Sequence, residues 1–230
     1  MLKVVEHVLS AALRANAAAD ARTWLDHAQA LPLDGSRGLL LDAYARAASH
    51  VGRGALTLSD TALVDLRAAA PGVGFERWTV DDAAHALILI ARHRHRPPGR
   101  LFVDDAVACF EEGDAREQQS WVRALGLWPE AEHFLPYAID ASRSSILPVF
   151  EALACENTYP ARHFPERNFN QMVLKALFNS IALSRVIGLA ARLNAELSRM
   201  AADYAAERAA AGRTVPADIG LATGEGAEER

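Results

Sequence analysis

Apolar residues return every three or four positions along nearly the whole chain, and only short polar or Gly/Pro breaks interrupt them. That is the repeat of helices with one buried face. The first run puts Leu2, Val5, Leu9, Ala12 and Leu13 on one side, with Lys3 and Glu6 opposite. It predicts an ordinary amphipathic helix, not a cleavable leader. A second helix is expected over 20–30 with Trp24, Leu25 and Ala28 inward, stopping before Pro32. The third runs from Ser36 through Leu40, Ala43, Tyr44 and Ala47 to the break at Gly52 and Gly54. Ser59 is placed to cap a short helix through Leu63 and Leu66, which Pro71-Gly72 ends.

Thr79 with Asp82 three residues on has the form of a capping box, and Asp81 adds negative charge at the positive end of the helix dipole. The body that follows, Ala83 to Ala91, is apolar nearly all round apart from His85, so it should be a central buried helix. It ends in the cations Arg92 to Arg96 before Pro97-Pro98. Helices over 100–112 and from Asp114 through Leu125 come next, the latter opened by a second box with Glu117. Pro129 starts a short helix that Pro136 is expected to kink or end. A helix over 145–155 leads into 157–165, where two prolines among aromatics read as an ordered loop. After a helix over 168–178, the stripe Leu189, Leu193, Leu197, Met200 and Tyr204 predicts one last long helix, terminated at Gly212.

The fold expected is therefore all-α. About ten short-to-medium antiparallel helices form a single HEAT-like, α-solenoid-type domain over 1–215, and 216–230 is a disordered tail. Composition agrees: hydrophobic residues make up 51% and charged residues 23%, enough for a core and against global disorder. A net charge of −5 without a basic stripe argues against nucleic-acid binding. No apolar run reaches the roughly 18–20 residues of a membrane span. Cys109 and Cys155 lack CxxC spacing and read as buried reduced thiols, hence a cytoplasmic protein, although a disulfide between them stays open.

Chemistry is sparse. No GxSxG, HExxH, Walker-type or GxGxxG pattern occurs, so no catalytic residues are assigned and no cofactor is expected. His93 and His95 form an HxH pair without a neighbouring carboxylate or thiolate, and the arginines around them are explained by the helix dipole; no metal site is assigned. Asp104-Asp105 and Glu111-Glu112 read as a solvated helix face. The segment 168–179 carries most. Asn168, Gln171, Lys175 and Asn179 share one helix face, while Asn170 falls among Phe169, Met172, Val173 and Ala176. An unpaired buried amide costs about 1–3 kcal/mol, so Asn170 needs a partner, for which the backbone of the 159–165 loop is the nearest source. The polar stripe, with Tyr159, His163 and Arg185 close in sequence, either lines a ligand or partner groove or is helix surface with Lys175 reaching solvent. On the groove reading, Lys175→Ala or Gln171→Ala weakens binding and leaves the fold intact. An enzyme would need His163, Lys175 and an acid to converge in one cleft.

One resemblance reaches further than periodicity. Phe150-Glu151-Ala152, Asn157-Thr158-Tyr159-Pro160, Phe164 and Phe169 to Phe178 resemble the EboA family, as do Leu183 to Leu189, Arg192, Asn194, Asp203-Tyr204-Ala205, Glu207-Arg208 and Ala211 to Pro216. The similarity is specific over roughly residues 143–218; Thr158 stands where the family favours proline and Phe169 where tryptophan is common. The resemblance implies a non-enzymatic accessory protein of bacterial metabolite trafficking, associated with moving pigment or secondary-metabolite precursors. Its partners would be a small metabolite or pathway proteins, a membrane prenyltransferase-like protein among them. It supplies no catalytic residues.

Overall fold

The computed structural model describes residues 1–30, 36–95 and 102–224. Within them the fold is all-α, with a single isolated bridge where Leu56 N–H reaches Trp78 O and Val80 N–H reaches Gly54 O, each at 2.9 Å. The expected stop at Pro32, the helix start at Arg100, Arg96 and Pro97-Pro98 lie outside the described residues. The chain divides into two compact units, Met1–Tyr137 and Ala138–Arg230.

The first unit is organised around the all-apolar run. Helices α1 (Leu2–Asn16), α2 (Ala19–Ala30), α3 (Arg37–Val51) and α4 (Asp60–Ala69) precede α5 (Val80–Arg94), with α6 (Phe102–Glu111) and α7 (Ala115–Arg123) after it. Every residue of α5 from Val80 to Arg92 is buried, and α1, α2, α3, α6 and α7 all pack on it. The caps form where the spacing put them. Ser36 and Ser59 accept from Leu39 N and Ala62 N at 3.3 and 3.2 Å. Thr79 N donates to Asp82 at 2.9 Å, and Asp114 exchanges bonds with Glu117 in the same way. The solvated-face reading of Asp104-Asp105 is half overturned. Asp104 is exposed, whereas Asp105 is fully buried because Arg92, itself fully buried, meets it at 2.6 Å and Arg37 adds a contact at 3.0 Å.

The short helix expected ahead of Pro136 is a 3-10 turn over Ala131–Phe134 that ends there, and Pro136 opens the next helix instead of kinking one. Pro136 stands in the first turn of α8 (Leu135–Arg143), where its missing N–H has no carbonyl to bond, and the helix continues through Arg143. The second unit then contains α9 (Leu147–Ala154), α10 (Tyr159–His163), α11 (Glu166–Phe178), α12 (Leu189–Arg192), α13 (Ala195–Ala210) and α14 (Gly220–Thr223). The expected loop over 157–165 is ordered and holds the single-turn α10, started by Pro160. The last long helix is split. Asn194 is extended (φ −147°, ψ 162°) and caps α13 by accepting from Leu197 N at 2.9 Å. Past Pro216, where no structure was expected, α14 buries Ala222 completely.

Candidate functional site

In the second unit α11 presents two faces. Phe169, Met172, Val173, Ala176 and Leu177 are buried, and Asn170 is 2% exposed among them. The loop backbone is not its partner. Asn170 and Asn194 exchange side-chain amide bonds at 3.1 and 3.0 Å, while Asn194 also donates to Arg192 O at 3.0 Å. Arg192 instead holds the loop, donating to Ala161 O at 2.7 Å and Phe164 O at 2.8 Å with its guanidinium 4.8 Å from the Phe169 ring centroid. Gly188 lets that region close: it sits at φ +78°, and a Cβ there would lie 2.7 Å from the Ala161 Cβ.

The outward stripe is largely engaged with the protein itself. Lys175 Nζ donates to Ser142 O at 2.9 Å and Ser144 O at 2.6 Å, satisfying carbonyls at the C-terminal end of α8, and sits 4.4 Å from the Phe150 ring centroid. Partial burial lowers its pKa. Asn179 Nδ2 returns to Lys175 O at 2.8 Å, and Gln171 is exposed. Tyr159 is buried, with the His163 ring tilted against it at 4.6 Å between centroids. Arg185 forks onto Glu156 at 2.7 and 2.9 Å and also meets Glu151; the Glu156 hydrogen bonds raise its pKa. The structure thus pairs Tyr159 with His163 and Lys175 with Asn179, and sets Arg185 on its two carboxylates.

The ends of α11 and α13 make a feature that residue spacing did not reveal. Helix α11 closes with Ile181 N–H on Ala176 O at 2.9 Å and Ser180 in the left-handed region (φ 57°). Helix α13 closes likewise at Gly212 (φ 66°), with Arg213 N–H on Arg208 O at 2.8 Å. The chain segment after Gly212 runs back past the end of α11 and forms with it an open cleft of about 430 Å³. Leu177, Ile181, Val215 and Pro216 form its apolar lining, and Arg208 and Asp218 its charged part. Arg208 is fixed by neutral oxygens: Nε donates to Thr214 O at 2.6 Å and Nη1 to Tyr204 OH at 3.2 Å. Asp218 accepts from Leu183 N–H. Phe178, 62% exposed, stands beside this region with its ring edge on Tyr204 at 4.6 Å.

The first unit holds a second polar cluster, in the first turn of α5 where α7 packs on it. Asp81 is forked by Arg116 at 2.6 and 2.8 Å, while Asp82 accepts from Ser120 at 2.7 Å and pairs with Arg123. Burial pushes Asp81 up, but the Arg116 hydrogen bonds outweigh it and the net shift is downward. His85 Nε2 contacts Tyr44 O at 3.0 Å, and burial lowers its pKa. Spacing marked Asp81 and Asp82 as capping residues only; nothing local announced Arg116 and Arg123 as their partners from α7, 35 and 41 positions away. With each carboxylate matched by an arginine, the cluster ties α5 to α7. No group of three or more His, Cys, Asp or Glu among the described residues is placed to hold a metal ion.

Among the described residues the chain is an all-α protein with an open cleft of ligand size and polar groups mostly spent on internal bonds. No helix among the described residues is long and apolar enough to cross a membrane. The family model of the metabolite traffic protein EboA matches residues 5–223, and the chain belongs to that family. Neither a curated protein nor a solved structure matches it.

Proposed function

We propose that this chain is a non-enzymatic accessory protein of metabolite traffic that binds a small metabolite in the second unit, where α11 ends. The observation that carries the reading is the cavity of about 430 Å³ between 177–182 and 214–218. Its size is that of small-molecule sites, roughly 300–1,000 Å³, and it joins an apolar lining to a few polar groups. Of the expected stripe, Asn179 lies in sequence between the lining residues Leu177 and Ser180, and Gln171 and Lys175 are not among the lining residues. Lys175 supports the cleft indirectly, by anchoring α11 to the end of α8.

Native mass spectrometry of the chain taken from its own cells tests this. A bound small molecule that disappears in Val215→Trp, which fills the lining, is the expected result. A bare mass in the wild-type chain overturns it. In that case the exposed Phe178, Ile146 and Leu147 favour the second reading, a scaffold for a pathway protein such as a membrane enzyme.

A further inference from the structure

We infer that the cleft at the ends of α11 and α13 takes a small amphipathic monoanion, with Arg208 holding its carboxylate, Asp218 accepting from a hydroxyl or amine on its body, and the apolar lining covering the rest. This rests on the proposed binding role of the same cavity and names its ligand class.

Arg92, Arg116, Arg123 and Arg185 are each committed to carboxylates, so their charge is neutralised inside the protein. Arg208 lines a cavity and makes no ion pair among the described residues; its Nε and Nη1 rest on a backbone carbonyl and a phenol oxygen. Those two bonds, with the guanidinium 5.6 Å from the Tyr204 ring centroid, fix its orientation without consuming its charge. Nη2 has no acceptor among the described residues. A planar fork held in place with an open edge is the form that carboxylates are bound by. An incoming anion displaces no protein carboxylate and meets a guanidinium already ordered, which lowers the cost of binding.

Asp218 narrows the class. It lines the same cavity and accepts from Leu183 N–H, and it forms no ion pair with Arg208, so neither charge is neutralised by the other in direct contact. A dianion such as a phosphate ester would bring a second negative charge toward Asp218. A monoanion with a donor group at its other end satisfies both. Leu177, Ile181, Val215 and Pro216 require that the body between them be apolar.

The test is a fluorescence titration of the full chain with 8-anilinonaphthalene-1-sulfonate, whose sulfonate stands for the carboxylate and whose anilino N–H is the donor. N-phenyl-1-naphthylamine, the same body without the anion, serves as control. The sulfonate dye should bind one saturable site, weaken about tenfold in Arg208→Gln, as loss of a charged hydrogen bond implies, and recover partly in Arg208→Lys. The neutral dye should bind wild type and Arg208→Gln alike. Circular dichroism melting checks that the variants fold. If Arg208→Gln does not, Val215→Trp carries the test and should abolish both dyes. Equal sulfonate affinity in wild type and folded Arg208→Gln, equal loss of both dyes in that variant, or sulfonate binding retained in Val215→Trp overturns the inference. A metabolite still found by native mass spectrometry in any of these cases leaves the carrier reading standing and removes only this ligand assignment.

Discussion

Two residues show how burial decides what a charge does. Asp105 looks like one of a pair of surface carboxylates until α5 and α6 meet, when Arg92 and Asp105 become fully buried partners at 2.6 Å. Removing one member of a buried pair strands the other, at a cost of about 3–5 kcal/mol. Asp105→Ala should therefore lose that much in urea unfolding, and Arg92→Met with Asp105→Leu should recover most of it. If Asp105→Ala costs under 1 kcal/mol, the pair is not formed in solution. Lys175 is the second case. Its ammonium satisfies the Ser142 and Ser144 carbonyls and is half-buried against Phe150, so Lys175→Met should lower stability by about 1–2 kcal/mol. Unchanged stability together with weakened metabolite binding would return Lys175 to the role its helical stripe first indicated.

At the scale of the element, α12 and α13 carry the clearest lesson. The stripe from Leu189 to Tyr204 keeps helical spacing throughout, which is why it reads as one helix. The chain breaks at Leu193–Asn194 because one side chain, Asn194, completes two structures at once: it caps Leu197 N and pairs with the buried Asn170. Periodicity records which face is apolar, not where a cap interrupts the ladder. Asn194→Ala should remove the cap, worth about 1 kcal/mol, and leave Asn170 unsatisfied at about 1–3 kcal/mol more. Chemical denaturation that finds a combined loss below 1 kcal/mol would refute the coupling. The caps at Ser59, Thr79 and Asp114, by contrast, were legible, because capping-box chemistry is local to four residues.

For the whole molecule, the buried core of the first unit makes stability depend on pH. His85, packed against the Tyr44 ring at 4.4 Å and facing Asp81, Asp82 and Arg116, has its pKa lowered, chiefly by burial. The unfolded chain therefore takes a proton that the folded chain refuses. This contribution is fully present above the unfolded histidine value of about 6.5 and is lost as pH falls below it, with a slope of at most about 1.4 kcal/mol per pH unit. Urea midpoints between pH 7.5 and 5.5 should fall more steeply for wild type than for His85→Gln; parallel curves would show that His85 does not contribute. By itself the sequence determined the all-α class, most helix positions, the central place of α5 and, through the residues around Asn170 and Tyr204, the family. These follow from period, local caps and composition, which act within a few residues. Only tertiary structure decided that Asp105 is buried, that Asn170 answers Asn194, that Lys175 caps α8 and that a cleft opens beside Arg208. Each depends on groups separated by 13 to 33 positions or on a returning chain segment, and no local rule specifies which distant partner a desolvated polar group will find.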